Sequence, residues 1–222
     1  EQSTANYSES LDLFKELKHK EGEAYAAWGV GETNRLCGES EAKKGNLEDA
    51  KEHLSTAKEN QENSLNLCQE IGDRRSKAWA VLGLAEIFRM EGKYQSSSQE
   101  DAIAKYQEAL DKYEQAYSLV VNKECIETAH ALLGIAATKR LLNLAKAEES
   151  SDKKIFDAYT KALDTYQDHN MNYCMVYVLT DTALYYLSQA VPKQAQLYLN
   201  RAEKICVEND YAKEQDLIDK IR

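Results

Sequence analysis

Four histidines, five cysteines and a broad set of tyrosines and carboxylates are the side chains of this chain equipped for chemistry. A hydrolytic zinc site wants two histidines one helical turn apart around a glutamate. His19, His53, His130 and His169 stand far apart in the sequence, and no such motif is present. A nucleophilic thiol needs an adjacent base or a helix N-terminus to hold it as thiolate. Cys37, Cys68, Cys125, Cys174 and Cys206 have no histidine placed to serve, and none lies in a CxxC spacing. Five thiols cannot all pair, so neither a disulfide framework nor a zinc site is expected, and a reducing, cytoplasmic compartment is. Gly29 and Gly31 follow no strand and precede no Lys-Ser/Thr pair, so they do not form a phosphate loop. The acidic runs Glu39/Glu41, Glu148/Glu149 and Glu208/Asp210 lack the spacing of a calcium loop and read as solvated faces. These absences predict a protein with no catalytic residue, no cofactor and no metal.

Charge narrows the partners. The formal net charge is −10, whereas binding to nucleic acid or to anionic membranes is built on clustered Lys and Arg. No apolar run is long enough to span a bilayer. The chain opens without an initiator Met or a signal-peptide core, which predicts a processed or excised piece.

The elements that position these side chains are helices. One proline and nine glycines in 222 residues leave few breakers, and the apolar complement of Ala, Leu and Tyr favours helix over strand. An internal repeat then organises the chain. Four Ala-rich segments (AWGVGETNRLCGES, AWAVLGLAEIF, AHALLGIAATKR and VYVLTDTALYYL) align on a small residue at Gly38, Ala85, Gly134 and Ala183, separated by 47, 49 and 49 positions. A small side chain is needed where a partner helix crosses closely. Each segment is followed by a second helix with apolar residues at spacings of four and three: Ala50/Leu54/Ala57, Ala102/Tyr106/Ala109, Ile155/Tyr159/Ala162 and Ala195/Leu199/Ala202. Turns are predicted at Gly45-Asn46, Gly92-Lys93-Tyr94 and Ala190-Val191, with Pro192 opening a helix and Gly72 closing one. Cys125 and Cys174 share one register, nine residues before their small residue, and read as small hydrophobes.

A small residue followed twelve positions later by Ala, then a large residue, then Ala, resembles the tetratricopeptide repeat (TPR) family. Gly38/Ala50/Leu54/Ala57 and Ala183/Ala195/Leu199/Ala202 carry the resemblance. Repeats two and three depart from it by about five and nine extra residues, so the repeats resemble the long ones of scaffold and regulatory proteins. The resemblance implies an all-α right-handed superhelix of antiparallel helix pairs, about ten helices in all. A single array is expected over 1–222: an orphan helix at 1–23, repeats at 24–73, 74–122, 123–170 and 171–209, and a capping helix at 210–222. A start inside a repeat is expected of a stretch cut from a larger array.

In that family the first helix of each pair lines a peptide-holding inner groove. Projecting the register onto it offers a basic thread, Arg35, Lys43, Arg89 and Lys139, with Trp79 and Tyr177 as aromatic anchors. Arg, Trp and Tyr carry interface energy because they desolvate large areas while satisfying polar groups. The competing expectation for Trp79 is packing between repeats, and for the cations, pairing with neighbouring Glu. Glu39 stands where a cochaperone-type carboxylate clamp wants an amide, which argues against that partner. The resemblance therefore implies a protein-interaction scaffold or regulatory module holding a peptide or helix. The alternatives are a peptide-sensing arm that controls an effector domain, and a helical enzyme with an interior site.

Overall fold

The computed structural model describes residues 2–120, 125–147 and 153–222. Among them are ten helices and no strand. In chain order they are α1 (Gln2–Glu16), α2 (Lys20–Lys44), α3 (Leu47–Ile71), α4 (Arg74–Tyr94), α5 (Gln99–Val120), α6 (Ile126–Lys146), α7 (Lys153–Asp168), α8 (Asn172–Ser188), α9 (Pro192–Asn209) and α10 (Ala212–Ile221). The chain is an all-α helical repeat fold, in which α2 packs on α3, α4 on α5, α6 on α7 and α8 on α9. The chain forms two compact units, residues 1–121 and 122–222. Glu148 and Glu149 lie outside the described residues.

The repeat signature is the frame of each pair. Gly38, Ala85, Gly134 and Ala183 are all buried. Ala50, Leu54 and Ala57 are at most 1% exposed, as are Ile155, Tyr159 and Ala162. Gly38 earns its place by close approach, since a Cβ there would stand 3.0 Å from Leu54 and 3.2 Å from the Ala50 carbonyl. Ala102 is the exception, only half-buried near the start of α5.

Turn chemistry closes the helices much as predicted at three places. Gly45 and Gly72 cap α2 and α3 with φ of 88° and 77°, the left-handed conformation that glycine adopts without strain. Pro192 occupies the first turn of α9. Gly92 departs from expectation: it is buried inside α4, and the chain turns at 95–98 instead. The reason is packing, because a Cβ at Gly92 would stand 2.8 Å from the Tyr106 ring. The helix uses that glycine to admit an aromatic rather than to stop.

Helix α2 also starts earlier than the repeat boundary at 24, with His19 as its N-cap accepting a 2.9 Å hydrogen bond from the Gly22 amide. Helix α1 packs on α2 by pressing rings into its glycines. A Cβ at Gly22 would fall 2.4 Å from the Phe14 ring, and one at Gly29 would fall 2.3 Å from the Tyr7 ring.

A second register runs along the paired helices. Seven residues beyond Leu54, Tyr106, Tyr159 and Leu199 come Gln61, Tyr113, Tyr166 and Cys206, all at most 2% exposed. Three of them reach a different polar partner. Gln61 donates to the Trp28 carbonyl at 3.5 Å, Tyr113 donates to Glu86, and the Tyr166 hydroxyl meets His130 Nδ1 at 2.8 Å. Burial pushes the Cys206 thiol up, away from thiolate.

Candidate functional site

In the first unit, α2 and α4 lie side by side. Helical spacing of three and four places Tyr25, Trp28, Glu32, Arg35, Glu39 and Lys43 on one face of α2. The same spacing places Trp79, Leu82, Glu86 and Arg89 on one face of α4. At the N-terminal end of these faces the aromatic rings form a ladder. Tyr7 meets Tyr25 at 6.3 Å between centroids, Tyr25 meets Trp28 at 5.8 Å, and Trp28 meets Trp79 at 6.1 Å. Trp28 and Trp79 are half-buried, whereas Tyr25 is 60% exposed.

Toward the other end lies an ion-pair network. Arg35 donates from Nε to Glu32 at 2.9 Å and again from its terminal nitrogen, with Glu39 at 3.6 Å and Met90 Sδ at 3.7 Å. Its side chain is only 12% exposed. Burial disfavours the charged guanidinium, but hydrogen bonding to Glu32 and the charges of Glu32, Glu86 and Glu39 overcome it and hold the pKa above its ordinary value. Arg89 and Tyr113 both donate to Glu86. Burial would raise the Glu86 pKa, yet Arg89, Arg35 and the Tyr113 hydroxyl bring it down to about 2. Tyr113 is pushed the opposite way, by burial and by the neighbouring Glu86 charge. Lys43 closes the network at 2.8 Å from Glu39, with its end in solvent.

The expected basic thread is therefore not open at Arg35 and Arg89. The physical reason is in the local sequence: Glu32 and Glu86 sit three residues before Arg35 and Arg89, within reach along one helix face. Within this network three carboxylates balance three cations. Arg35, Lys43, Trp79 and Arg89 do come together in the first unit.

Lys139 and Tyr177 belong to the second unit. Lys139 is half-buried on α6, beside Arg140, which pairs with Asp181 of α8 at 2.8 Å. Tyr177 is committed to the C-terminal helix, donating at 3.0 Å to Glu214 of α10 and meeting the Tyr173 hydroxyl at 2.8 Å. Tyr173 in turn packs edge-on against Tyr211 at 5.6 Å. Tyr177 thus fastens α10 onto α8. Tyr177→Phe is expected to lower stability by about 1 kcal/mol and to speed amide exchange in α10 more than elsewhere. Exchange that rises uniformly through the unit would contradict the fastening role.

Repeat register does not point to Tyr25 and Trp28, which precede the small residue Gly38 by thirteen and ten positions. Their spacing of three and the third aromatic at Trp79 were the available signs. Cys125 is not a buried hydrophobe: it is the half-buried N-cap of α6, its Sγ 3.3 Å from the Thr128 hydroxyl. Among the described residues no three His, Cys, Asp or Glu side chains gather as a metal ion would require. No described helix is long and apolar enough to cross a membrane. Comparison with protein-family models and with curated proteins finds no match to this chain.

Proposed function

We propose that this protein is a TPR-type interaction module that holds a polypeptide segment against the α2/α4 face of its first unit. The observation that supports it is the aromatic ladder Tyr25–Trp28–Trp79, which crosses from one helix to the next with Tyr25 exposed and both Trp rings half-buried. Ring surface of this kind supplies binding energy, since aromatic side chains bury large areas with few rotatable bonds. The ion-pair network beside it has a positioning role: with Arg89 and Tyr113 bonded to Glu86, and Arg35 of α2 facing the Glu86 charge and donating to Met90 Sδ of α4, α2 and α4 hold a fixed spacing and present the rings in one arrangement. Preorganisation of that kind spares a binding surface the entropy of ordering on contact. The cations named from sequence then serve the scaffold, and the aromatics serve the partner.

The test compares partners recovered by crosslinking and mass spectrometry for the wild type and a Tyr25→Ala/Trp28→Leu variant with native far-UV circular dichroism. A defined subset of partners is expected to disappear with the variant. An unchanged set would remove this face from the binding function. Charge reversal at Arg35 or Arg89 is unsuited to the same purpose, because it breaks the network that holds the helices.

A further inference from the structure

The α2 side of this face has an electrostatic character that selects among peptides. We infer that the segment held there is basic, with a Lys or Arg side chain seated on the rings of Tyr25 and Trp28; this rests on the binding role proposed above. Glu21 stands one helical turn before Tyr25, and Glu32 one turn after Trp28, so carboxylates bracket the rings along one face. Glu21 is exposed. Glu32 uses one lone pair on each oxygen for Arg35, and a carboxylate has about four acceptor positions. An incoming ammonium or guanidinium therefore finds unspent acceptors next to aromatic faces, and aromatic faces attract cations through their quadrupole.

The wider field points the same way. Residues 1–121 carry 23 carboxylates and 15 cations, which is eight of the ten net negative charges of the chain. Such a surplus gathers cationic segments and repels acidic ones. An acidic peptide would need the guanidinium groups of Arg35 and Arg89, and those are already bonded to Glu32 and Glu86. On α4, Arg75 stands one turn before Trp79, so the α2 side is where a cation lands.

The experiment pans the full chain against a display library of random dodecapeptides, then measures synthetic hits, decalysine and decaglutamate by calorimetry and tryptophan fluorescence. The expected hits carry Lys or Arg, bind more weakly as salt rises, and lose roughly two- to fivefold in affinity with Tyr25→Leu, which removes the quadrupole but keeps apolar area. Tyr25→Phe is expected to retain most of the affinity. Melting curves for both variants confirm that the fold is kept. Hits without cations that still depend on Tyr25 and Trp28 would overturn the inference and leave the binding role standing. Basic hits indifferent to Tyr25→Leu and to a Trp28→Leu variant would overturn it as well, since the cation would then bind elsewhere. Recovery of no peptide at all would sink both proposals.

Discussion

Replacing Glu86 by glutamine is expected to destabilise the first unit by roughly 2–3 kcal/mol near neutral pH, a fall in Tm on the order of 10 °C. The carboxylate accepts from Arg89 and Tyr113 and faces Arg35. Glutamine keeps the shape and leaves two largely buried guanidinium groups short of their counter-charge. The pH dependence separates this cause from loss of packing. The folded pKa of Glu86 is about 2, below its ordinary value of 4.5. Its contribution is thus complete above about pH 4.5 and is lost as pH falls toward 2. The stability gap between wild type and Glu86→Gln should be widest at neutral pH and should close across that window, because protonated Glu86 is itself neutral. Urea unfolding at pH 7, 4 and 3 measures it, and a gap that does not change with pH would refute the electrostatic account.

Gly83→Ala carries the second large effect, and its sign depends on a neighbour. Gln61 is fully buried. A Cβ at Gly83 would lie 2.5 Å from its amide carbon and nitrogen, and one at Gly31 would lie 2.9 Å from that nitrogen. The glutamine is held between a glycine of α2 and a glycine of α4, so it cannot swing aside. Overpacking of this kind costs about 1–3 kcal/mol, against a gain of about 1 kcal/mol from replacing a helical glycine. A net loss of up to about 2 kcal/mol is expected. In a Gln61→Ala background the obstruction is gone, and Gly83→Ala should become neutral or stabilising. Thermal melts of the four proteins complete the double-mutant cycle. A loss of equal size in both backgrounds would mean that the Gly83 contact with Gln61 is not what limits the site.

The frame of the fold was legible because it is periodic. Gly38, Ala85, Gly134 and Ala183 must be small where helices cross, and the large residues at Leu54, Tyr106, Tyr159 and Leu199 must fill the space beside them. Pattern alone gives such positions. Gly92 shows where pattern stops: a glycine near a helix end predicts a turn, and only the approach of Tyr106 from another helix explains why α4 runs through it. The candidate site divides in the same way. The Glu32–Arg35 and Glu86–Arg89 spacings were visible as pairs, and pairing was the competing expectation for those cations. Their merger into one network needs α2 beside α4, and Tyr113 of α5 reaching Glu86. Tyr25 and Trp28 could be placed on one helix from spacing, but their meeting with Trp79 across helices is a tertiary fact. Tyr177 lay on the expected helix, and its engagement with Glu214 depends on where α10 settles.

The register that runs through Gln61, Tyr113, Tyr166 and Cys206 bears on how such an array can change. In their apolar frame the four helix pairs are near copies. At this one depth, however, Gln61 answers to the Trp28 carbonyl, Tyr113 to Glu86 and Tyr166 to His130. A repeat moved to a new place would bring its hydroxyl or amide without the group that receives it, and a buried polar atom left without a partner costs about 1–3 kcal/mol. The repeats are thus keyed to their positions, and a consensus sequence averaged over all four would blunt each key. Duplication or shuffling of repeats would have to carry the matching residue along, so this array is more readily altered by editing one repeat in place than by reordering the set.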